Sequence, residues 1–292
     1  MLMEDIHLGI MPLGGKSKNA NFAVKIDPPS KEVENLIRIG FPNRQGYQQD
    51  LIQTVCDFID EEAHALAYYG NNYYEIVYYY SDEKRKKIDG FMVESIPPYC
   101  VKTLLGVYWQ FIPQEAMKRS EQKRRFVLLP RKRILMLSMP KELGGSNKHK
   151  KVLSDLRWLS SCSIPEFAMK DTEKQQQTKG YEFSLYREGL SAFLAGTTRH
   201  LGWIARGMFS DRSLKMYQIY RSLMFERSKS IIREQILCMM NNSLELIGEE
   251  MGFSAKIVLE GIPTHKDYND YIRKLLDGEL QFSEAIKLMR IF

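Results

Sequence analysis

Over residues 48–69 apolar side chains recur three and four apart: Leu51, Ile52, Val55, Cys56, Ile59, Ala63 and Leu66, with Asp57, Asp60, Glu61 and Glu62 mostly between them. That spacing draws one apolar stripe along a helix. Gly70 supplies the stop, because glycine accepts the left-handed backbone that closes a helix. The period then changes. Residues 73–80 and 91–96 are strand-like runs, separated by a turn rich in Asp, Glu and Lys with Asp89-Gly90 directly before the second run, so a hairpin is expected. Residues 100–105, 107–112, 126–129 and 134–139 are further strand candidates. Pro97-Pro98, Pro113, Pro130 and Pro140 punctuate them, which predicts a small, twisted sheet open at an edge.

Beyond Pro140 helical patterns take over. Residues 143–151 read as a glycine- and lysine-rich loop before a helix over 152–161, and residues 165–181 are polar and read as exposed or looped. A helix follows over 182–208, interrupted near Gly196 and Gly202. Residues 213–247 carry the longest helical pattern, roughly 50 Å if unbroken at 1.5 Å per residue. A short strand over 255–259 and two closing helices, the first capped by Thr264 and the second starting near Ser283, complete an α+β chain. Residues 1–30 show no period and read as an extended arm or lead-in.

Composition narrows the class only a little. The 292 residues are 44% hydrophobic and 27% charged, as in ordinary globular proteins, and suffice for one large domain or two modest ones. Net charge is +6, from 42 basic against 36 acidic residues, which permits nucleic-acid contact without requiring it. Cys56, Cys100, Cys162 and Cys238 are far apart with no CxxC pair, so neither a zinc knuckle nor a redox couple is expected. Cys56 and Cys238 lie in apolar helical patterns and are expected to be buried free thiols. Glu4 and Asp5 stand where a signal peptide would be apolar, so none is expected. No apolar run reaches the length of about 18 residues that spans a bilayer, so no membrane span is expected.

Chemistry-bearing motifs come out negative. Residues 144–148 lack the spacing of a phosphate-binding loop, and His7, His64, His149, His200 and His265 are scattered without metal-ligand spacing. Asp57, Asp60, Glu61 and Glu62 read as a solvated helix face rather than a metal-binding cluster. Arg199-His200 after Thr197-Thr198 matches a fragment of a recombinase box, without the tyrosine nucleophile context or the other basic boxes. No enzyme, catalytic residue, metal or cofactor is expected. Two basic clusters remain. One includes Lys123, Arg124 and Arg125 beside the apolar run 126–129, and the other is Lys148, Lys150 and Lys151. Both are candidates for salt-dependent contact with phosphate chains. The tyrosines at 68, 69, 73, 74 and 78–80 are expected to divide between the two faces of a strand, as core or interface rather than a base-stacking platform.

The order of elements from Asp50 to Pro98 resembles the wing region of tailed-bacteriophage portal (head–tail connector) proteins. Gly70, Asn71, Asn72, Tyr73, Tyr74, Glu75, Ile76 and Val77 match the Gly-Asn-x-Tyr strand start, and Ile96, Pro97, Pro98 and Val101 match the proline-containing segment after it. The long C-terminal helices and the ending around Tyr271–Leu280 are also portal-like. The resemblance implies an N-terminal arm over 1–44 and a wing of helix plus β-rich region over 45–142. It implies a stem with a reduced clip over 143–210, then a long wing helix and C-terminal helices over 211–292. It also implies a ring homo-oligomer, usually of about twelve copies, at one vertex of a virion capsid. Double-stranded DNA would pass through its channel during packaging and ejection. Partners would be the major capsid protein, the terminase during packaging, and head–tail adaptor or tail proteins afterwards, with assembly in the host cytoplasm.

Two other classes stay open on the residues alone. One is a basic nucleic-acid-binding accessory protein of replication or mobilisation, acting as monomer or dimer through the basic clusters. The other is a nuclease or nucleotidyltransferase using carboxylates such as Asp57 and Glu61.

Overall fold

The structure is a computed structural model and describes residues 2–11, 22–41, 50–81, 87–119, 124–161, 183–204 and 215–289. In chain order its elements are α1 (Leu2–His7), β1 (Ala23–Asp27), α2 (Lys31–Gly40), α3 (Leu51–Tyr69), β2 (Asn71–Tyr80) and β3 (Ile88–Ile96). Then come β4 (Val101–Leu104), β5 (Val107–Phe111), α4 (Gln114–Arg119), β6 (Phe126–Leu129), β7 (Ile134–Ser138), α5 (Gly145–Ser161) and α6 (Phe183–Thr198). α7 (Lys215–Met251), β8 (Lys256–Glu260), α8 (His265–Leu276) and α9 (Phe282–Met289) follow. Among the described residues every strand pairing is antiparallel, in three small sheets ordered β1-β8, β3-β2-β7 and β4-β5-β6. Small antiparallel sheets with helices set apart from them make the chain α+β.

Two compact units divide the chain: a sheet-bearing one, Ile6–Met139 with Ile232–Ile262, and a helical one, Met1–Asp5 with Pro140–Ile231 and Pro263–Ile291. In the sheet-bearing unit, Asp50 caps α3 by accepting from the Gln53 N–H at 2.7 Å, and the left-handed Gly70 ends it. β2 is then the central strand, with β3 and β7 on its two sides. Its alternation divides the tyrosines as the sequence pattern predicts. Tyr74 packs toward α3, its ring 5.9 Å from Phe58, which in turn meets Phe41 edge-on. Tyr73 points the other way, into a second core with Ile96, Cys100, Val101, Leu129 and Ile134. Tyr68, Tyr69 and Tyr79 are exposed.

Several expectations need correction. Where the aperiodic first 30 residues suggest an arm, α1 and β1 form, with Leu2, Ile6 and Ile10 buried. β1 pairs with β8, whose residues lie at the far end of the chain, so no local pattern announces it. The loop expected over 143–151 is instead a turn followed at once by the first part of α5. His149 and Val152 are buried there, and the apolar stripe is invisible when histidine is counted as polar. Cys238 is exposed, not buried, whereas Cys56 is buried and its thiol is pushed up to about 12, mainly by burial and further by Asp57, Asp50 and Asp60.

In the helical unit, a tight turn over Arg199–Leu201 follows α6 and ends at Gly202. Gly202 has φ +77°, and a Cβ there would lie 2.5 Å from the backbone N of Phe225 on α7. Only glycine lets the turn lie this close to the helix. Arg221 on α7 then holds the turn, donating to the carbonyls of Gly202 (3.3 Å) and Trp203 (2.8 Å). Trp203 in turn donates to Asp5 at 2.9 Å. Farther along, Ile219 and Leu223 of α7 form a core with Tyr268, Ile272 and Leu275 of α8 and Ala285 of α9. Thr264 and Asp267 make the capping box that starts α8, as the sequence predicts.

Gly202→Ala is expected to cost about 3 kcal/mol, from a left-handed residue and an overpacked contact together. Gly196→Ala, in the interior of α6 with open space around it, is expected to gain about 0.5–1 kcal/mol. Chemical denaturation of the two variants beside the parent checks both signs.

Candidate functional site

Gly70 to Val77 form a helix-to-strand junction, while Ile96 to Val101 lie at the turn between β3 and β4. After Gly70 turns the chain, Asn71 bonds the Tyr73 hydroxyl at 3.3 Å and Asn72 turns inward. The Asn72 amide donates to the Tyr74 hydroxyl (2.6 Å) and to a carboxyl oxygen of Glu62 (3.3 Å), while its carbonyl oxygen accepts from the Tyr73 N–H (3.0 Å). The Met139 N–H donates to the Gly70 carbonyl at 2.9 Å and ties the end of β7 to the same point. Glu62 is only 2% exposed, against the expectation of a solvated carboxylate face. Burial pushes its carboxyl well above the ordinary range, opposed by the Asn72 hydrogen bond and helped by the neighbouring Glu61 charge. Pro97 and Pro98 start a short turn over Pro98–Cys100 that separates β3 from β4.

The first basic cluster borders the sheet β4-β5-β6. Lys123 lies outside the described residues; Arg124 and Arg125 are exposed at the start of β6. The Arg125 guanidinium lies over the Phe111 ring, 4.9 Å from its centroid. The inner face of this sheet supplies Val101, Tyr108 and Leu129 to the Tyr73 core. Because side chains alternate between faces, the cross-strand sets Lys102–Trp109–Leu128, Leu104–Val107 and Phe111–Phe126 line the outer face. That face is apolar and open: Trp109 is 37% and Leu128 54% exposed. The β4–β5 hairpin tip adds Leu105, left-handed at φ 51° and 95% exposed. With Gly106 at φ 75° this is the two-residue turn that favours Asn-Gly or Asp-Gly, so a leucine there costs about 1–2 kcal/mol and gains no burial in return.

The second cluster sits on the first turns of α5. Lys148, Lys150 and Lys151 are all exposed. Lys148 and Lys151, three apart, share one side of the helix, and Lys150 lies off it. Lys148 borders a cavity with Arg199, His200, Tyr217, Tyr220 and Arg221. Sequence spacing separates these groups widely, and only the closing of the Arg199–Leu201 turn onto α7 gathers them. Arg124 and Arg125 belong to the sheet-bearing unit and the three lysines to the helical one.

Compared with protein-family models and with curated proteins, the chain matches none. The site therefore rests on its own geometry. Of the carboxylates weighed for catalysis, Asp57 accepts from the Gln53 amide (2.7 Å) and Asp60 pairs with His7 (3.2 Å). Among the described residues no group of three or more His, Cys, Asp and Glu is placed to hold a metal ion, and no helix is long and apolar enough to cross a membrane.

Asn72→Ala is expected to lower stability by about 1–3 kcal/mol, since it strips a hydrogen-bonded partner from buried groups. Glu62 has the opposite kind of signature. Its folded-state affinity for the proton exceeds that of the unfolded chain, so its contribution is full below the ordinary carboxylate range and falls as pH rises above it. Glu62→Gln should therefore gain on the parent progressively from acid to alkaline pH in denaturant melts. A difference that stays constant across that range would contradict a carboxyl whose proton affinity is raised by burial.

Proposed function

We propose that this chain is a non-enzymatic, portal-like subunit that assembles into a closed ring at a capsid vertex of a virion. Double-stranded DNA would pass through the ring during packaging and ejection, and head–tail adaptor or tail proteins would attach to it. The observation that carries this reading is the open apolar face of β4-β5-β6. That face follows directly on the portal-like segment Ile96-Pro97-Pro98-Val101, and a single copy of the chain leaves it in water. Exposed apolar patches of this kind mark protein contacts.

The charge around the face selects the kind of contact. Lys102, Arg124 and Arg125 are exposed beside it, so a two-fold pairing of identical faces would set like charges against one another. In a head-to-tail contact the face meets a different surface of the next copy, and such contacts form a ring where the rotation between copies closes. The scattered cations at Arg124, Arg125, Lys148, Lys150 and Lys151 suit passage of a polyanion, since a deep basic groove would grip it. The terminase and the major capsid protein are the further partners this reading carries.

A second reading draws on the same face. Trp109, Phe111 and Phe126 with Arg125 and Lys102 resemble the aromatic-and-cation platforms on which unpaired bases stack, as in a nucleic-acid-binding accessory protein. The double substitution Trp109→Asp with Leu128→Asp separates the two. Both side chains stand on the open face, so the fold is expected to survive within about 0.5 kcal/mol. For the ring, sedimentation should fall from a large oligomer to the single chain. If the parent is already a single chain and binds single-stranded oligonucleotides that the variant does not, the accessory-protein reading replaces the ring.

A further inference from the structure

The helical unit contains a cavity of about 490 Å³ that ring closure does not use and that gathers Lys148 with cations from two other elements. Lys148 of α5, Arg199 and His200 of the turn after α6, and Tyr217, Tyr220 and Arg221 of α7 line it. Among the described lining residues there is no carboxylate. We propose that this cavity is an anion site that takes a phosphate group, and that Lys148, Arg199 and Arg221 supply the charge that holds it.

Three independent observations converge on that assignment. Arg221 is only 3% exposed, yet its partners are two backbone carbonyls and the Tyr217 hydroxyl at 3.5 Å. Dipoles and the Tyr217 ring, 6.0 Å from the guanidinium carbon, orient the buried cation, but no carboxylate among the described residues pairs with it, a costly state that an incoming anion relieves. Second, the His200 Nε2 is buried with no hydrogen-bond partner among the described residues. A buried polar atom left without a partner marks a place where something else bonds. Third, the donors converge from three elements, with the turn that carries Arg199 and His200 fixed against α7 by the close approach of Gly202 and by the Arg221 hydrogen bonds. The tyrosine hydroxyls can donate as well, and the volume is that of a small-molecule pocket.

His200 reports occupancy. Burial first, then the charge of Lys148 and the neighbouring His149, together lower its imidazole to about 4, so without an anion beside it the ring is neutral at pH 7. The charged and titratable groups around it are Lys148 and His149 on α5, Arg199 beside it, and Tyr217, Tyr220 and Arg221 on α7. A phosphate placed among the cations reverses the sign of the local field and draws a proton onto the ring.

The phosphate group has two sources of one chemistry, a small free phosphate ligand or the backbone of a nucleic acid. Calorimetric titration of the full-length protein with inorganic phosphate tests the site, in two buffers of different ionisation heat at about pH 5, where an imidazole of raised affinity takes up a proton. Saturable binding is expected, with proton uptake that disappears in His200→Gln. Lys148→Ala combined with Arg199→Ala should weaken binding by about tenfold or more; both side chains are exposed, and circular dichroism verifies the fold. Repeating the titration with a short DNA duplex present identifies the source. A duplex that displaces phosphate from the parent assigns the site to a nucleic-acid backbone, and one that leaves phosphate binding unchanged assigns it to a small ligand. Absence of saturable binding, or equal binding by the double variant, overturns the proposal.

Discussion

The sheet-bearing unit depends on one backbone constraint: the chain must leave α3 and enter β2 within a single residue. Gly70 meets it with a left-handed conformation that any other residue would adopt only at a cost. Because the turn is that short, Asn72 arrives beneath the last turns of α3, close enough to reach Glu62. The strand direction is thereby fixed, and with it which tyrosine faces the helices and which faces the second sheet. Tyr74 closes the core under Phe58, and Tyr73 builds the core shared with β4, β5 and β6. The inner face of β4-β5-β6 is thus consumed, and its outer face stays exposed among the described residues.

That uncovered face connects the fold to the proposed role. A monomer with Leu104, Trp109, Phe126 and Leu128 in water and a strained leucine at a hairpin tip retains liabilities that a partner would remove. The helical unit shows a complementary economy. Gly202 and Arg221 bring a cationic turn against α7 and leave its charges without carboxylates among the cavity-lining residues. One unit exposes apolar surface that the proposed ring would cover, and the other gathers positive charge that the proposed anion would meet.

Much of this was legible in the residues, wherever the determinant is local. The stripe from Leu51 to Leu66, the glycine stop, the hairpin of β2 and β3, the proline breaks and the Thr264 cap all depend on neighbours within a few positions. What escaped depends on distant partners. β1 forms because β8 accepts it across most of the chain, with Asn241 of α7 clasping Ile257 of β8 through both its amide atoms. The start of α5 was hidden by glycines and by a buried histidine counted as polar. Glu62 looked solvated because helical spacing alone does not reveal that its side of α3 faces Asn72. For the site, Lys148 was visible as a cation and Arg199-His200 as a fragment of a motif. Their meeting with Arg221 is a product of the Gly202 contact, which leaves no periodic trace.

The proposed function requires this chain to close with copies of itself around a channel. Negative-stain microscopy of the purified full-length protein tests it most directly. Closed rings with a central opening are expected, each built from many copies of the 34.1 kDa chain. A field of uniform single-chain particles that persists at every concentration examined would contradict it.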